Sequence, residues 1–371
     1  MSRHGRLYQN RLAHPPRFAR VVAIPFLVLC WLGAATDISS AGANAWTGIG
    51  PVGAHVTSLA IDPTTPSTLY VGTDGGGVFK STNGGGSWNP ANAGLTITGV
   101  FALAVDPQTP STLYAGGPGG VFKSTDGADG WSTVISVDST GFPVWSVLAL
   151  AVDPQSPSTL YAATVIAFYD PAGALPMSVV YKSTDGGGSW DIIWFEDTYF
   201  ISALAVDPRT SATLLAGGYG GVFKTTDGGS RWSAVSPDVG RANIGVVWAL
   251  AADPQSGTTL YLGTEIYPWD STTTHSAVFQ STDAAGSWHV TSTQSIHAFA
   301  IDPRTPTTVY AGVPDGVLKS TDGGGSWSPL STGVTSPVSA LVVDPLTPTT
   351  VYAVTLGGGA FVIAVAEGVL H

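Results

Sequence analysis

From Val56 onward the chain alternates short apolar runs with turns rich in Gly, Pro, Asp and Asn. Ser67-Thr68-Leu69-Tyr70-Val71-Gly72 and Val78-Phe79-Lys80-Ser81 show the rhythm within one unit. The runs are four to seven residues long and alternate in polarity. A period of two between turn signals predicts strands, not helices. An Asp-Pro pair closes the first strand of a unit seven times, at Asp62, Asp106, Asp153, Asp207, Asp253, Asp302 and Asp344. The intervals are 44, 47, 54, 46, 49 and 42 residues. Each unit holds four strands, and four strands in about 40–50 residues is the length of one propeller blade. A lone four-stranded sheet cannot bury both faces, whereas neighbours stacked around an axis can.

The seventh unit stops after Val351-Tyr352-Ala353 and Ala360-Phe361-Val362-Ile363. Near the other end, Trp46-Thr47-Gly48-Ile49 reads like Trp327-Ser328-Pro329-Leu330, the fourth strand of unit six. The expected fold is therefore all-β: a seven-bladed propeller of four-stranded antiparallel blades, its last blade closed by the N-terminal strand. Closure of that kind removes an open sheet edge.

Composition agrees. Among 371 residues there are 47 Gly and 26 Pro, and only 11% are charged. The helix-favouring surface residues Lys and Glu are scarce, which excludes a large helical domain. The formal charge of −11 argues against a nucleic-acid partner.

The first 45 residues are of another kind. Arg3, Arg6, Arg11, Arg17 and Arg20 precede a 15-residue apolar run, Val21 to Ala35, and Ala43-Asn44-Ala45 follows. A basic start, an apolar middle and a small-residue end predict a signal peptide over 1–45. Fifteen apolar residues fall short of the roughly 20 that a membrane span needs. A secreted, periplasmic or cell-surface monomer over 46–371 is expected, with no membrane span after cleavage. That part keeps nine Lys and Arg against 24 Asp and Glu, a formal charge of −15, and has no cysteine. Burial and backbone pairing must hold it without disulfides.

Six units carry an octapeptide between third and fourth strands. Full S-x-D-x-G-x-x-W matches stand at Ser183/Asp185/Gly187/Trp190 and Ser320/Asp322/Gly324/Trp327. The other four are centred on Asn83/Trp88, Asp126/Trp131, Asp227/Trp232 and Asp283/Trp288; Ala128 and Ala285 replace the Gly, and Thr225 the Ser. The short acid can accept from N–H groups ahead of it, Gly permits positive φ, and Trp packs under the turn. A turn-stapling role is expected for these residues rather than ligation or catalysis.

The octapeptide resembles the Asp box of BNR-repeat propellers, a group including sialidases, xyloglucanase-type glycoside hydrolases, sortilin-type receptors and photosystem II assembly factors. The resemblance implies a propeller and admits several functions. Sialidases of the group imply an arginine cluster. Arg209 and Arg304 lie in Asp-Pro turns and Arg231 in an octapeptide, leaving only Arg241 for the opposite face, so a sialidase is excluded. Thr73-Asp74-Gly75-Gly76-Gly77 looks like the segment carrying a catalytic Asp in xyloglucanase-type enzymes, which makes Asp74 a candidate carboxylate for hydrolysis of neutral polysaccharide. A second carboxyl at about 5–10 Å would also be needed. Photosystem II assembly factors imply a basic patch, which this acidic chain lacks.

Strand direction puts Asp-Pro turns and octapeptides on one nearly constant face. The opposite, divergent face takes the second-to-third-strand turns and the blade-to-blade connections. Long insertions there carry Phe168, Tyr169 and Asp170 in blade 3, and Tyr267, Trp269, Asp270 and His275 in blade 5. The blade 3-to-4 connection holds Trp194 to Phe200. Long loops on a rigid scaffold are where binding concentrates. Five residues before each Asp-Pro stand Thr57, Phe101, Leu148, Ser202, Trp248, His297 and Ser339, which should ring the channel mouth. Candidate ligand-binding residues are thus Phe101, Tyr169, Asp170, Trp248, Tyr267, Trp269, Asp270 and His297. The expected function is non-enzymatic binding of a protein or carbohydrate ligand, with the hydrolase as alternative. No cofactor or metal is expected.

Overall fold

A computed structural model describes residues 45–136, 144–170, 173–196, 201–238, 242–268, 275–330 and 333–365. They form seven four-stranded antiparallel sheets. Six blades are built in chain order; in the seventh, Val338–Val343, Thr350–Thr355 and Gly359–Ala364 are completed by Thr47–Gly50. That strand pairs antiparallel, Thr47 opposite Val362 and Gly48 opposite Phe361. The innermost strands of the seven blades pack on one another around the ring. Among the described residues there is no helix long and apolar enough to cross a membrane.

Burial follows from stacking. The second strands Leu69–Thr73, Leu113–Gly117, Leu214–Gly218 and Val309–Val313 are buried at every position, because a neighbouring blade covers each side. Six residues before each Asp-Pro stands a β-branched side chain: Val56, Val100, Val147, Ile201, Val247, Ile296 or Val338. None is more than 1% exposed. Each wedges against the second strand of the preceding blade. There the chain uses glycine: a Cβ on Gly116, Gly217 or Gly312 would come within 2.6 Å of Val147, Val247 or Val338. In these blades the sheets approach too closely at this level for a side chain, whereas blades 3 and 7 hold a buried Ala163 and Val354 there.

The constant face is stitched from blade to blade. At all seven Asp-Pro turns the Asp Oδ1 accepts backbone N–H groups ahead of it; Asp106, for example, takes Gln108 at 2.8 Å and Thr109 at 3.0 Å. Gln108, Gln155 and Gln255 then donate to the Asp-Pro turn carbonyls of the next blade, as do Arg209 and Arg304.

The octapeptides form a second ring of contacts. Ser183 Oγ donates to Asp185 Oδ1 at 2.8 Å, and Asp185 accepts the Ser189 N–H at 2.8 Å and its hydroxyl at 2.7 Å. In the first copy Asn83 Oδ1 holds Ser81 Oγ and the Ser87 N–H in the same way. Ala128 and Ala285 keep the turn at φ 72° and 70°, a region costly for residues with a Cβ. The carbonyl after the acid faces outward to the preceding blade. Lys123 Nζ and Tyr114 OH donate to Gly186 O at 2.6 and 3.1 Å; Lys182 and Lys224 repeat this on Gly228 and Ala284, and Gln280 with Tyr261 on Gly323. These turns are therefore docking points between blades as well as local staples.

Candidate functional site

The ladder between first and second strands slips at the same place in five blades, with a further slip earlier in the strand in blades 3 and 5. Val56 pairs with Thr73 and Ser58 with Gly72, leaving Thr57 as an extra residue. Leu148, Ser202, Trp248 and Ser339 are left over in the same way in blades 3, 4, 5 and 7. These are β-bulges, which re-aim a side chain away from the regular pleat. The bulge falls on the position that varies most between repeats. All seven side chains there are at least partly exposed, directly beside the buried β-branched residue. They lie at the divergent-face end of the innermost strands.

The seven divide by chemistry. Thr57, Ser202 and Ser339 each donate to the carbonyl of the buried β-branched residue in the next blade: Val100, Val247 and Val56 respectively. They also reach Gly72 O, Gly217 O and Val354 O of their own blades. Their hydroxyls are thus used as inter-blade staples. Phe101, Leu148, Trp248 and His297 have no such hydroxyl.

Trp248 and His297 come together across the blade 5–6 boundary, with ring centroids 5.5 Å apart and tilted by 55°. Trp248 is 36% exposed, a high value for a Trp. The His297 ring exchanges a hydrogen bond with Ser295 Oγ at 3.2 Å. Burial pushes the His297 imidazole below its usual range, and the nearby Glu265 carboxylate opposes this. Burial thus favours the uncharged form of the ring.

Asp74 stands in the blade 1 turn and pairs with Gly99 of the blade 1-to-2 connection. Its Oδ1 lies 3.5 Å from where a Cβ on Gly99 would stand, with Phe101 Cζ at 3.4 Å and Pro118 Cδ at 3.5 Å from the same point. The fold thus brings the candidates Asp74 and Phe101 to one rim, and Trp248 and His297 to another.

The described parts of the two insertions are strand. In blade 3 the second and third strands run on as a hairpin, Leu160–Asp170 against Gly173–Ser183, with Asp170 opposite Gly173. Its second strand has 11 residues against five in blade 2, an extension of roughly 20 Å at strand rise. In blade 5, Ala242–Ala252 and Leu260–Pro268 are lengthened likewise. Tyr169, Asp170 and Tyr267 lie on these extensions, but their side chains, and Trp269 and Asp270 entirely, fall outside the described residues.

The aromatic connection after blade 3 is also different. Trp194 belongs to the strand Asp191–Glu196 and stacks on Trp232 at 5.2 Å, with Phe223 at 4.9 Å. It packs blade 3 on blade 4 and is not a loop residue. Asp197, Tyr199 and Phe200 fall outside the described residues.

Large exposed hydrophobics gather on the divergent face. Val52 of the connection into blade 1, Tyr219 and Leu356 of the blade 4 and blade 7 turns, and Trp248 are four of the eight. A polar groove of about 450 Å³ lies elsewhere, between the outer strand of blade 1 and the octapeptide of blade 2, where Lys80 and Asp129 pair at 3.4 Å. Among the described residues no group of three or more His, Cys, Asp or Glu is placed to hold a metal ion.

No protein-family model matches the sequence, and no curated protein does. Solved structures do. A GH74 xyloglucanase from Xanthomonas campestris superposes with TM-score 0.66 at 19% identity, over 86% of this chain and 53% of that one. An ancestral GH74 enzyme gives 0.68 at 20%, over 88% and 46%. The chain thus spans about half the length of these enzymes. YCF48 bound to D1 peptide gives 0.60 at 15% identity, over 89% of this chain and 100% of that one. At such identities the likeness is one of fold: this chain shares its propeller architecture with glycoside hydrolases and with a peptide-bound protein alike.

Proposed function

We propose that this chain is an exported binding propeller whose divergent face grips a protein or a glycan. The observation that carries it is the pairing of a bulge-directed, 36% exposed Trp248 with His297 at the mouth of the ring. A large ring left in water beside a polar partner is what an aromatic anchor for a ligand requires. The extended hairpins of blades 3 and 5 flank blade 4, whose turn carries the exposed Tyr219. The basic start, apolar run and Ala43-Asn44-Ala45 support export. The octapeptide hydrogen bonds support reading these turns as Asp boxes. Binding to arrays of glycans and peptides by the wild type and by Trp248→Ala tests the reading; equal binding by both would reject it.

The second reading is hydrolysis of a neutral polysaccharide with Asp74 as one carboxylate. Its support is the place of Asp74 beside Phe101 on the rim and the fold shared with xyloglucanases. Release of reducing ends from xyloglucan, abolished in Asp74→Asn, would establish it in place of the first.

A further inference from the structure

The charges of the described residues are sorted by face. Lys123, Lys182 and Lys224 are bonded to octapeptide carbonyls, Lys80 pairs with Asp129 of an octapeptide, and Lys319 lies over the Tyr310 ring. Arg209 and Arg304 stand in Asp-Pro turns, and Arg231 in an octapeptide. Every described Lys and Arg therefore belongs to the constant-face side. The turns and connections of the divergent face carry Asp74, Asp238, Glu265 and Asp315 among the described residues.

Exposed apolar groups share that face: Val52, Tyr219, Trp248 and Leu356. Among the described residues, this surface thus sets apolar and aromatic groups beside carboxylates and shows no Lys or Arg. We infer that the divergent face docks an extended polypeptide segment that carries Lys or Arg next to apolar side chains. This rests on the binding reading above and names the class of ligand. Anchors such as Trp248 supply affinity when covered. An Arg or Lys over the Trp248 face adds a cation–π contact. The surrounding carboxylates speed encounter with a basic segment and reject acidic ones. A neutral glycan would use the same rings but would gain nothing from the carboxylates.

The test uses two labelled 12-residue peptides, one alternating Lys with Leu and Tyr, the other with Glu in place of every Lys. Anisotropy titrations are run with the whole propeller at low and at high salt. The Lys peptide is expected to bind, to weaken severalfold in high salt, and to bind Glu265→Gln/Asp315→Asn about fivefold more weakly. Asp129→Asn/Asp191→Asn removes equal charge elsewhere and should leave binding unchanged. Equal loss in both double variants, or binding of the Glu peptide, would overturn the inference, since attraction would then be general or of the wrong sign. Binding of xyloglucan oligosaccharides, lost in Trp248→Ala, with no binding of either peptide would overturn it too, while leaving the divergent face as the ligand site.

Discussion

Trp46 Nε1 donates to Leu330 O at 3.0 Å across 284 residues of sequence. The bond belongs to a series. Trp88, Trp131, Trp232 and Trp288 donate to Ile49, Ala91, Ile193 and Val235, each three residues after the equivalent Trp of the preceding blade. Trp46 is thus the octapeptide Trp of a blade that has no octapeptide, and Ile49 is the acceptor for the next. Two members depart: Trp190 turns to Gly187 of its own turn, and Trp327 Nε1 has no partner. Trp46→Ala should cost about 3–5 kcal/mol through the cavity left in a buried cluster. Trp46→Phe should cost about 1 kcal/mol for the hydrogen bond. Urea midpoints check both; an unchanged midpoint in Trp46→Ala would contradict closure by this strand.

The seam between blades 7 and 1 keeps the Ser339 staple to Val56 O but lacks the Gln or Arg and the Lys stitches of the constant-face side. Leu346 stands where five other blades carry a Gln or Arg that reaches the next turn, and Val362 where third-strand lysines stand. Leu346 is also half-exposed. Leu346→Gln should restore a bond to the blade 1 turn and raise stability by about 0.5–1 kcal/mol. Native-state hydrogen exchange should show the strands of this seam opening first in the wild type and more slowly in Leu346→Gln. Earliest opening at the blade 3–4 boundary would refute the account.

The octapeptide acids predict an acid limit. Hydroxyls of Ser189, Ser287 and Ser326, donating to Asp185, Asp283 and Asp322, are the largest cause holding these carboxyls down to about 2 from an ordinary 3.8. A carboxyl with lowered folded pKa stabilises the fold above its unfolded value, and this is lost as pH falls. The urea midpoint should therefore hold from pH 7 to about 5 and decline between about 4 and 2. Asp185→Asn/Asp283→Asn/Asp322→Asn should flatten that decline, since Asn83 makes the corresponding bonds without titrating. The same slope in wild type and triple variant would exclude these groups as its source.

The second-strand tyrosines predict an alkaline limit of opposite sign. Burial first, then carboxylates of the constant face, pushes Tyr70, Tyr114, Tyr161 and Tyr310 up to about 12. Groups with raised pKa stabilise the fold below their unfolded value near 10, and that contribution disappears as pH rises toward 12. Ultraviolet titration should show these phenols ionising only with unfolding. Ionisation near pH 10 in the folded protein would mean they are not sealed between blades.

Trp248 should separate binding from stability. Its partial exposure at a bulge means that Trp248→Ala changes stability by no more than about 0.5 kcal/mol while ligand binding falls about tenfold or more. Trp131→Ala, by contrast, removes a buried ring and should cost about 3–5 kcal/mol. A large loss of stability in Trp248→Ala would make that ring part of the core.

The repeat, the strand period and the likeness of Trp46–Ile49 to Trp327–Leu330 specified the number of blades, their closure and the two faces. Those features are written locally, in turn residues and alternation. Tertiary structure alone decided what depends on neighbours in space. It turned the divergent position before each Asp-Pro into a β-bulge, because a one-residue slip depends on how two strands pair. It used Thr57, Ser202 and Ser339 as staples while leaving Trp248 and His297 together at the mouth. It made hairpins of two insertions and packed Trp194 between blades, since burial is a property of the assembled ring. And it set Lys123, Lys182 and Lys224 on the constant-face side, because the carbonyls they bond come from the next blade, some 40–60 residues further along the chain.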